Sequence, residues 1–187
     1  MHGDSESWRG YGAKKDVMPL GGYGVLMGIF GGALIGFLAW ANRKAKLPAC
    51  LGLGDVLLLG VGTHKLTRIV TKDWVTSPLR APFVEYKGSA DISGEVTEKS
   101  RGHGLRRAMG DLLTCEICSA PWIAGSLLAT HAVNPRLSRF LSGLFATVAV
   151  SDFLNQIYAA GATKAATVTA RAGAEEQSMH AREEARA

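Results

Sequence analysis

Two long stretches of this chain lack charged residues altogether. Residues 17–41 contain no Lys, Arg, Asp or Glu, and neither do residues 117–133. Residues 141–160 contain a single one, Asp152, and residues 50–70 form a fourth apolar stretch into which a few ionisable side chains intrude. A helix that spans a bilayer needs about 20 mostly apolar residues. The pattern therefore predicts an all-α integral membrane protein, a bundle of about four transmembrane helices with an amphipathic helix on the cytoplasmic side.

The motifs of the common enzyme classes are missing as well. Glycine-rich arrangements in the first apolar stretch have no flanking strand, which a phosphate-binding loop requires. No Ser-His-Asp set and no pair of catalytic carboxylates stands out. The net charge of +5 does not indicate nucleic-acid binding, because the basic residues cluster beside the apolar stretches. We therefore expect no nucleic-acid partner, and the leading hypothesis is a non-enzymatic scaffold or assembly protein.

Composition divides the chain into tails, spans and one long polar loop. We predict a disordered tail over residues 1–16 and a four-helix transmembrane domain over residues 17–160, with spans at about 17–41, 52–72, 115–133 and 139–160, a polar loop at 73–104, a surface helix at 105–113, and a low-complexity tail at 161–187. Residues 85–104 of this loop are rich in Gly, Ser and charge, which predicts a mobile segment. Residues 39–41, Ala-Trp-Ala, resemble a signal cleavage site, although the preceding apolar stretch is longer than a signal core.

Basic residues predict the orientation in the membrane. Lys and Arg are more numerous beside the two tails and in the long loop than in the short connections. By the positive-inside rule, both termini and the loop face the cytoplasm, although the cluster over residues 42–44 argues weakly for the reverse. The basic loop is expected to contact anionic lipid headgroups or an acidic partner.

The first predicted helix carries a stripe of glycines at four-residue spacing, namely Gly24, Gly28, Gly32 and Gly36. Residues four apart lie on one side of a helix, and small residues there let a neighbouring backbone approach closely. The stripe predicts a packing face of the glycine-zipper type. Its partner could be a helix of the same chain, another copy of the chain, or another membrane protein.

Two predicted spans carry polar stripes, formed by His64, Lys65, Arg68, Asp152, Asn155 and Gln156. In parallel helices, Asp152 and His64 both lie about 18 Å deep, at the same level. Because an unpaired charge at that depth costs several kcal/mol, we predict that Asp152 pairs with His64 or Lys65. We predict that the side-chain amides of Asn155 and Gln156 form hydrogen bonds with Arg68. Such a pair fixes the register of the bundle, or it relays protons or ions.

Four further polar residues are expected near the ends of the spans. Asp55 and His131 should lie together near the opposite membrane face, where simple hydrogen bonding would explain them. Lys72 and Arg80 are expected to snorkel, with their charged ends among the lipid headgroups.

Cys115 and Cys118 are separated by two residues at the start of the third span. Three interpretations fit: reduced structural thiols with no cofactor, a zinc or iron site completed by His103 and Asp111 or shared between two chains, or quinone-linked disulfide exchange. The exchange mechanism normally uses a second cysteine pair. Here the other cysteine is Cys50, about 30 Å away across the bilayer, which is too far for a disulfide.

Several segments together resemble a known family. They are Gly62-Thr63-His64-Lys65-Leu66-Thr67-Arg68-Ile69-Val70-Thr71-Lys72-Asp73, the following Val75-Thr76-Ser77-Pro78-Leu79-Arg80-Ala81-Pro82-Phe83, then Leu105-Arg106-Arg107-Ala108, and Leu112-Leu113-Thr114-Cys115-Glu116-Ile117-Cys118 with Trp122. The chain resembles, over about residues 19–158, the bacterial membrane family named domain of unknown function 1360, which includes a sporulation-associated member. The resemblance implies a multi-pass protein of the bacterial inner membrane, and it implies no particular activity.

Overall fold

The structure is a computed structural model that describes residues 18–44, 47–48, 50–90, 92 and 94–184. The described residues form two compact units, which divide between residues 145 and 146. The predicted disordered tail over residues 1–16 lies outside the described residues. The predicted low-complexity tail falls, up to Glu184, in a helix.

Most of the described chain is helical. The helices are α1 (Leu20–Arg43), α2 (Leu53–Thr71), the single turn α3 (Ser77–Arg80), α4 (Gly104–Thr114), α5 (Glu116–Val133) and α6 (Pro135–Glu184), with a 3-10 turn at Trp74–Thr76. The α5–α6 junction shows why a helix begins where it does. Asn134 Oδ1 accepts a hydrogen bond from the Leu137 N–H at 3.1 Å, which caps α6. Pro135 suits the first turn, where its missing N–H would have no helical partner.

In the first unit, α2 packs against α5 and α1 packs against α4. Two glycines permit the closest approaches between helices. A Cβ atom added at Gly62 of α2 would lie 2.9 Å from Ser142 Cα, and one added at Gly22 of α1 would lie 2.8 Å from Ala108 Cβ of α4. Because real Cβ atoms do not approach so closely, these helices meet backbone to backbone.

The polar loop contains a small antiparallel sheet, so the all-α prediction needs correction. Strands β1 (Val84–Ser89) and β2 (Val96–Ser100) pair from Val84 opposite Ser100 to Ser89 opposite Val96. Val84 and Val96 are buried, which anchors one face of the hairpin. A bulge between Tyr86 and Gly88 shifts the register. The mobile loop predicted over residues 85–104 is thus an ordered hairpin followed by the start of α4.

The hairpin is held between the end of α2 and the side of α4. The Val96 N–H donates to the Lys72 carbonyl at 2.9 Å, and the Trp74 N–H donates to the Gly94 carbonyl at 3.1 Å. On the other side, a Cβ atom added at Gly110 of α4 would lie 2.6 Å from the Phe83 carbonyl oxygen. These contacts fix α4, and the residues that follow it, relative to α2.

Within the described residues, two helices are long and apolar enough to cross a membrane: α1 and the first part of α6, up to Arg171. A third span is possible if α4 and α5, which meet at 83°, count as one broken segment. Helix α2 does not qualify, since its 19 residues include Asp55, Lys65 and Arg68. The predicted membrane association is supported, whereas the four transmembrane helices are not confirmed.

Candidate thiol–disulfide site

The chain bends by 83° where α4 ends and α5 begins, and Cys115 is the residue at the bend. Its backbone is extended, with φ −101° and ψ 108°, and it is the N-cap of α5. The Cys118 N–H donates to Cys115 Sγ at 3.2 Å, so the sulfur takes the place of the usual capping oxygen. The bend therefore presents a sulfur atom at the positive end of an 18-residue helix.

Cys115 and Cys118 form a disulfide, with their Cα atoms 5.2 Å apart. That separation lies within the range of roughly 4.4–6.8 Å that disulfides require. Cys115 is half-buried and Cys118 is exposed. The structure thus brings the two predicted thiols together at a helix start, in the oxidised form, with one of the two cysteines exposed.

A cavity of about 610 Å³ lies between α1, α4 and α5, and both cysteines line it. Its other lining residues include Leu26 and Phe30 from α1 and Trp122 from α5. The Phe30 and Trp122 rings are 5.0 Å apart between centroids and tilted by 54°, an ordinary aromatic contact. Small-molecule pockets span roughly 300–1,000 Å³ and are mostly apolar. The cavity therefore has the size and the lining of a ligand site.

Asp111 supplies the polar part of the cavity wall. Tyr23 Oη donates to Asp111 Oδ2 at 2.7 Å, and Ser100 Oγ donates to Asp111 Oδ1. Arg107 Nε lies 4.0 Å from the same carboxylate. The carboxylate therefore joins α1, α4 and the hairpin beside the cavity.

The metal site predicted from Cys115, Cys118, His103 and Asp111 is not assembled. His103 precedes α4, and twelve residues of helical rise put it about 18 Å from Cys115. Among the described residues, no three His, Cys, Asp or Glu side chains are grouped as metal ligands. Zinc in proteins takes four ligands, so the two cysteines do not form such a site within one chain.

Helix α2 directs two cations toward the bend. Lys72 Nζ donates a hydrogen bond of 3.1 Å to the carbonyl of Thr114, which is the last residue before Cys115. Arg68 Nη1 lies 3.5 Å from a carboxylate oxygen of Glu116, inside the cysteine motif, and Arg68 also forms an ion pair with Glu95. The predicted partners of Arg68, the amides of Asn155 and Gln156, belong to the second unit, so that pairing stays a prediction. The two carboxylate partners were not predicted. Sequence spacing could not reveal them, because Glu95 and Glu116 are distant along the chain.

Arg80 corrects the prediction of a snorkelling side chain. It is fully buried, and Arg80 Nε donates to Glu98 Oε2 at 2.6 Å. Its other hydrogen bonds go to the Val70 carbonyl, Thr76 Oγ1, the Asp73 carbonyl and Ser77 Oγ. These five bonds occupy the five donors of a guanidinium group. Arg80 therefore ties the end of α2 to the hairpin, and Lys72, bonded to Thr114, does not snorkel either.

The other predicted polar residues fall in different places. Asp55 and His131 do lie together, with His131 Nε2 3.9 Å from Asp55 Oδ2, which confirms that prediction. Arg139 also binds Asp55 through two hydrogen bonds of 2.7 and 3.0 Å. His64 is exposed on α2. Asp152 belongs to the second unit, so its pairing with His64 or Lys65 stays a prediction.

These features define a class: a predominantly helical, membrane-associated protein with an oxidised cysteine pair at a helix bend. The chain belongs to the family described as "Protein of unknown function (DUF1360)", whose model matches residues 58–158. It is 30% identical over 104 residues to "Sporulation protein YjcA" of Bacillus subtilis (strain 168). The aligned segment covers 54% of this chain and 88% of that protein. No solved structure matches the chain. The family resemblance is thereby confirmed, and the matched segment includes both cysteines but not α1.

Proposed function

We propose that this chain is a membrane thiol–disulfide redox protein whose Cys115–Cys118 pair cycles between disulfide and dithiol. The observation that carries the proposal is the position of the disulfide. It lies at the start of a helix, with Cys118 exposed and both cysteines lining an apolar cavity. A disulfide that served only as a clamp would gain nothing from this accessibility.

The arrangement supports a direct exchange reaction. A thiolate of a partner dithiol attacks Cys118 Sγ, the Cys115–Cys118 bond breaks, and its electron pair leaves on Cys115 Sγ. The Cys118 N–H, 3.2 Å from that sulfur, and the α5 N-terminus stabilise the departing thiolate. The partner's second thiolate then attacks the partner's own sulfur in the mixed disulfide and expels Cys118. The partner leaves oxidised, and its two thiol protons end on Cys115 and Cys118.

The partner dithiol must belong to another molecule. Cys50 is a free, exposed cysteine that precedes α2, whereas Lys72, at the other end of α2, contacts Thr114. The 19 residues of α2 extend about 28 Å. A disulfide needs Cα atoms closer than about 7 Å, so Cys50 does not resolve this pair within one chain.

A redox titration tests the proposal. The purified protein, with Cys50→Ser to leave two cysteines, is equilibrated in glutathione buffers and its thiols are tagged with a mass-adding maleimide. We expect both thiols to disappear together in one transition, since a disulfide uses both. Cys115→Ser and Cys118→Ser should each abolish this transition, and the chain with Cys50 intact should keep the same midpoint. Thiols that stay reduced in oxidised glutathione would overturn the proposal.

The apolar helices support membrane association, and we propose a multi-pass inner-membrane protein with both termini in the cytoplasm. In that orientation the exposed Lys87 and Lys99 of the hairpin face anionic headgroups. The thiols then lie on the cytoplasmic side, where disulfides are usually transient and catalytic. In the Cys50→Ser background, a membrane-impermeant maleimide applied after reduction should label Cys118 only in permeabilised cells. Labelling of intact cells would reverse the orientation.

Assembly through α1 is a second candidate, favoured by the open glycine stripe. A Cβ atom added at Gly24, Gly28, Gly32 or Gly36 would meet no atom within 4 Å. The stripe therefore has room for a helix of another copy or another membrane protein. Gly28→Leu with Gly32→Leu should reduce cross-linking between chains in membranes. Ala33→Leu, at an exposed position about 140° around α1 from Gly28, is the matched control. Equal cross-linking in both variants would contradict this role.

A further inference from the structure

We infer that the cavity beside the disulfide binds the ring of a lipid-soluble quinone, which takes the electron pair from the reduced Cys115–Cys118 pair. This inference rests on the proposed thiol–disulfide function, and it names the electron acceptor. The argument has three parts: the distance from the cysteines to the cavity, the chemistry of the cavity wall, and its access to the surface of α1.

The cavity brings an acceptor into contact with both sulfurs. Cys115 and Cys118 line the same 610 Å³ space as Phe30 and Trp122. A planar ring in this space would lie against the Phe30–Trp122 pair, which is already in mutual contact, and beside the two cysteines. The described residues place no second cysteine pair at the site, since Cys50 is the free cysteine of that part of the chain. The electron pair must therefore leave to a bound molecule or to another protein.

The lining selects a lipid-soluble molecule over a polar one. Most of the wall is apolar, with Leu26 and Leu112 among its residues. A nucleotide or glutathione would lose its hydration there, and the Asp111 carboxylate in the wall would repel its anionic groups. The polar exception is the Tyr23–Asp111 hydrogen bond of 2.7 Å. The remaining lone pairs of the Tyr23 hydroxyl and the Asp111 carboxylate accept hydrogen bonds. This matches the two hydroxyl groups that a quinone acquires on reduction.

The cavity also reaches the outer surface of α1. Met27 lines it and is nevertheless 75% exposed. Leu34, two turns further along the same side of α1, is also an exposed apolar residue. In a membrane this surface faces lipid tails, so an isoprenoid chain attached to the ring can leave the cavity along α1. A water-soluble carrier has no need for such an opening.

The redox step balances without any further reactant. Two S–H bonds break and the Cys115–Cys118 bond forms, which releases two electrons and two protons. Both electrons enter the quinone ring, and the two protons end on its two oxygens. The products are the protein disulfide and one quinol. A partner dithiol then reduces the disulfide by the exchange described above.

The test uses the reduced full-length protein in lipid nanodiscs, freed of excess reductant. A short-chain ubiquinone is the probe, because its ring is fully substituted and cannot form a simple thiol adduct. Quinol is followed by ultraviolet absorbance and thiols by maleimide tagging. We expect one quinol to form for each cysteine pair oxidised. Leu112→Trp, which fills the cavity, and Phe30→Ala, which removes one wall, should each slow the reaction about tenfold or more.

Matched controls separate this inference from the proposed function. Phe37→Ala removes a ring of α1 that pairs with Trp40 and does not line the cavity, and it should leave the rate unchanged. Glutathione exchange is measured on every variant and should persist in Leu112→Trp. If exchange works but the quinone oxidises no variant, or oxidises all at one rate, the quinone inference is wrong and the redox function stands. If exchange also fails in the unaltered chain, the redox function itself is wrong.

Discussion

Two regions of the first unit both collect polar groups, yet they differ in what surrounds those groups. Around Arg80, a buried guanidinium has an acceptor for each of its donors, in a packed junction between α2 and the hairpin. Around Cys115, polar atoms and a disulfide border a cavity of about 610 Å³. A fully paired, close-packed charge is arranged for stability, whereas a reactive bond beside an open space is arranged for chemistry. The contrast predicts that substitutions in the first region affect folding and those in the second affect reaction.

The largest expected effect is on stability, from Arg80→Met. Removing the guanidinium leaves the Glu98 carboxylate, 5% exposed, without its partner. Breaking a buried ion pair in this way costs about 3–5 kcal/mol of unfolding free energy. This loss of stability is measured by thermal unfolding in detergent, monitored by circular dichroism.

A matched control and a double variant sharpen this test. Arg136→Met changes an exposed arginine and should alter stability little. Arg80→Met combined with Glu98→Leu removes both charges and should recover part of the loss. If Arg80→Met costs no more than the Arg136 control, Arg80 is not the support of this junction.

The second effect comes from the cysteines and should separate stability from reaction. Cys115→Ser with Cys118→Ser removes a disulfide that closes a loop of only a few residues, so we expect a loss of at most about 2 kcal/mol. Thiol exchange should vanish completely. Unfolding curves and maleimide tagging measure the two quantities on one sample. A loss as large as that of Arg80→Met would instead make the disulfide a structural clamp.

The smallest effect is expected from Lys72→Met, which removes the hydrogen bond to the Thr114 carbonyl. A hydrogen bond with a charged donor contributes about 1.5–3 kcal/mol, and the partial solvent exposure of Lys72 favours the lower end. Because the bond holds the residue before Cys115, the midpoint of the redox titration should shift as well. Lys87→Met, on the exposed side of the hairpin, is the control and should change neither the free energy of unfolding nor the redox midpoint.

The identity of the attacked sulfur can be determined on the unaltered chain. A brief exposure of the disulfide form to glutathione, followed by acid quenching, should trap the mixed disulfide on Cys118, the exposed sulfur. Cys115, bonded to the Cys118 N–H, should appear as the free thiol. Peptide mass spectrometry distinguishes the two sites. An adduct mainly on Cys115 would reverse the assigned roles.

Local sequence patterns predicted the parts of this site that local interactions determine. The amphipathic residues 105–113 fall in α4, Gly104–Thr114, and the cysteine pair lies at a helix start because the motif itself caps α5. The spacing of Asp55 and His131 was also informative, since their helices are apolar and antiparallel neighbours.

The missed parts depend on contacts between distant residues. The hairpin pairs Val84 with Ser100, and its strands are too short and polar to stand out from a loop. Arg80 looked like a headgroup anchor because its partners Val70 and Glu98 belong to other segments. The cavity requires α1 and α5 to flank the bend, which no pattern in either helix indicates.

The most direct test of the account is the redox state of Cys115 and Cys118 in living cells. Cells are quenched with acid, free thiols are blocked, and disulfides are then reduced and tagged with a mass-adding maleimide, with Cys50→Ser as background. The account predicts a disulfide fraction that rises when cells are aerated and falls when respiration is blocked, because the membrane quinone pool becomes reduced. A pair that stays fully reduced, or fully oxidised, under both conditions would contradict a cycling thiol–disulfide protein.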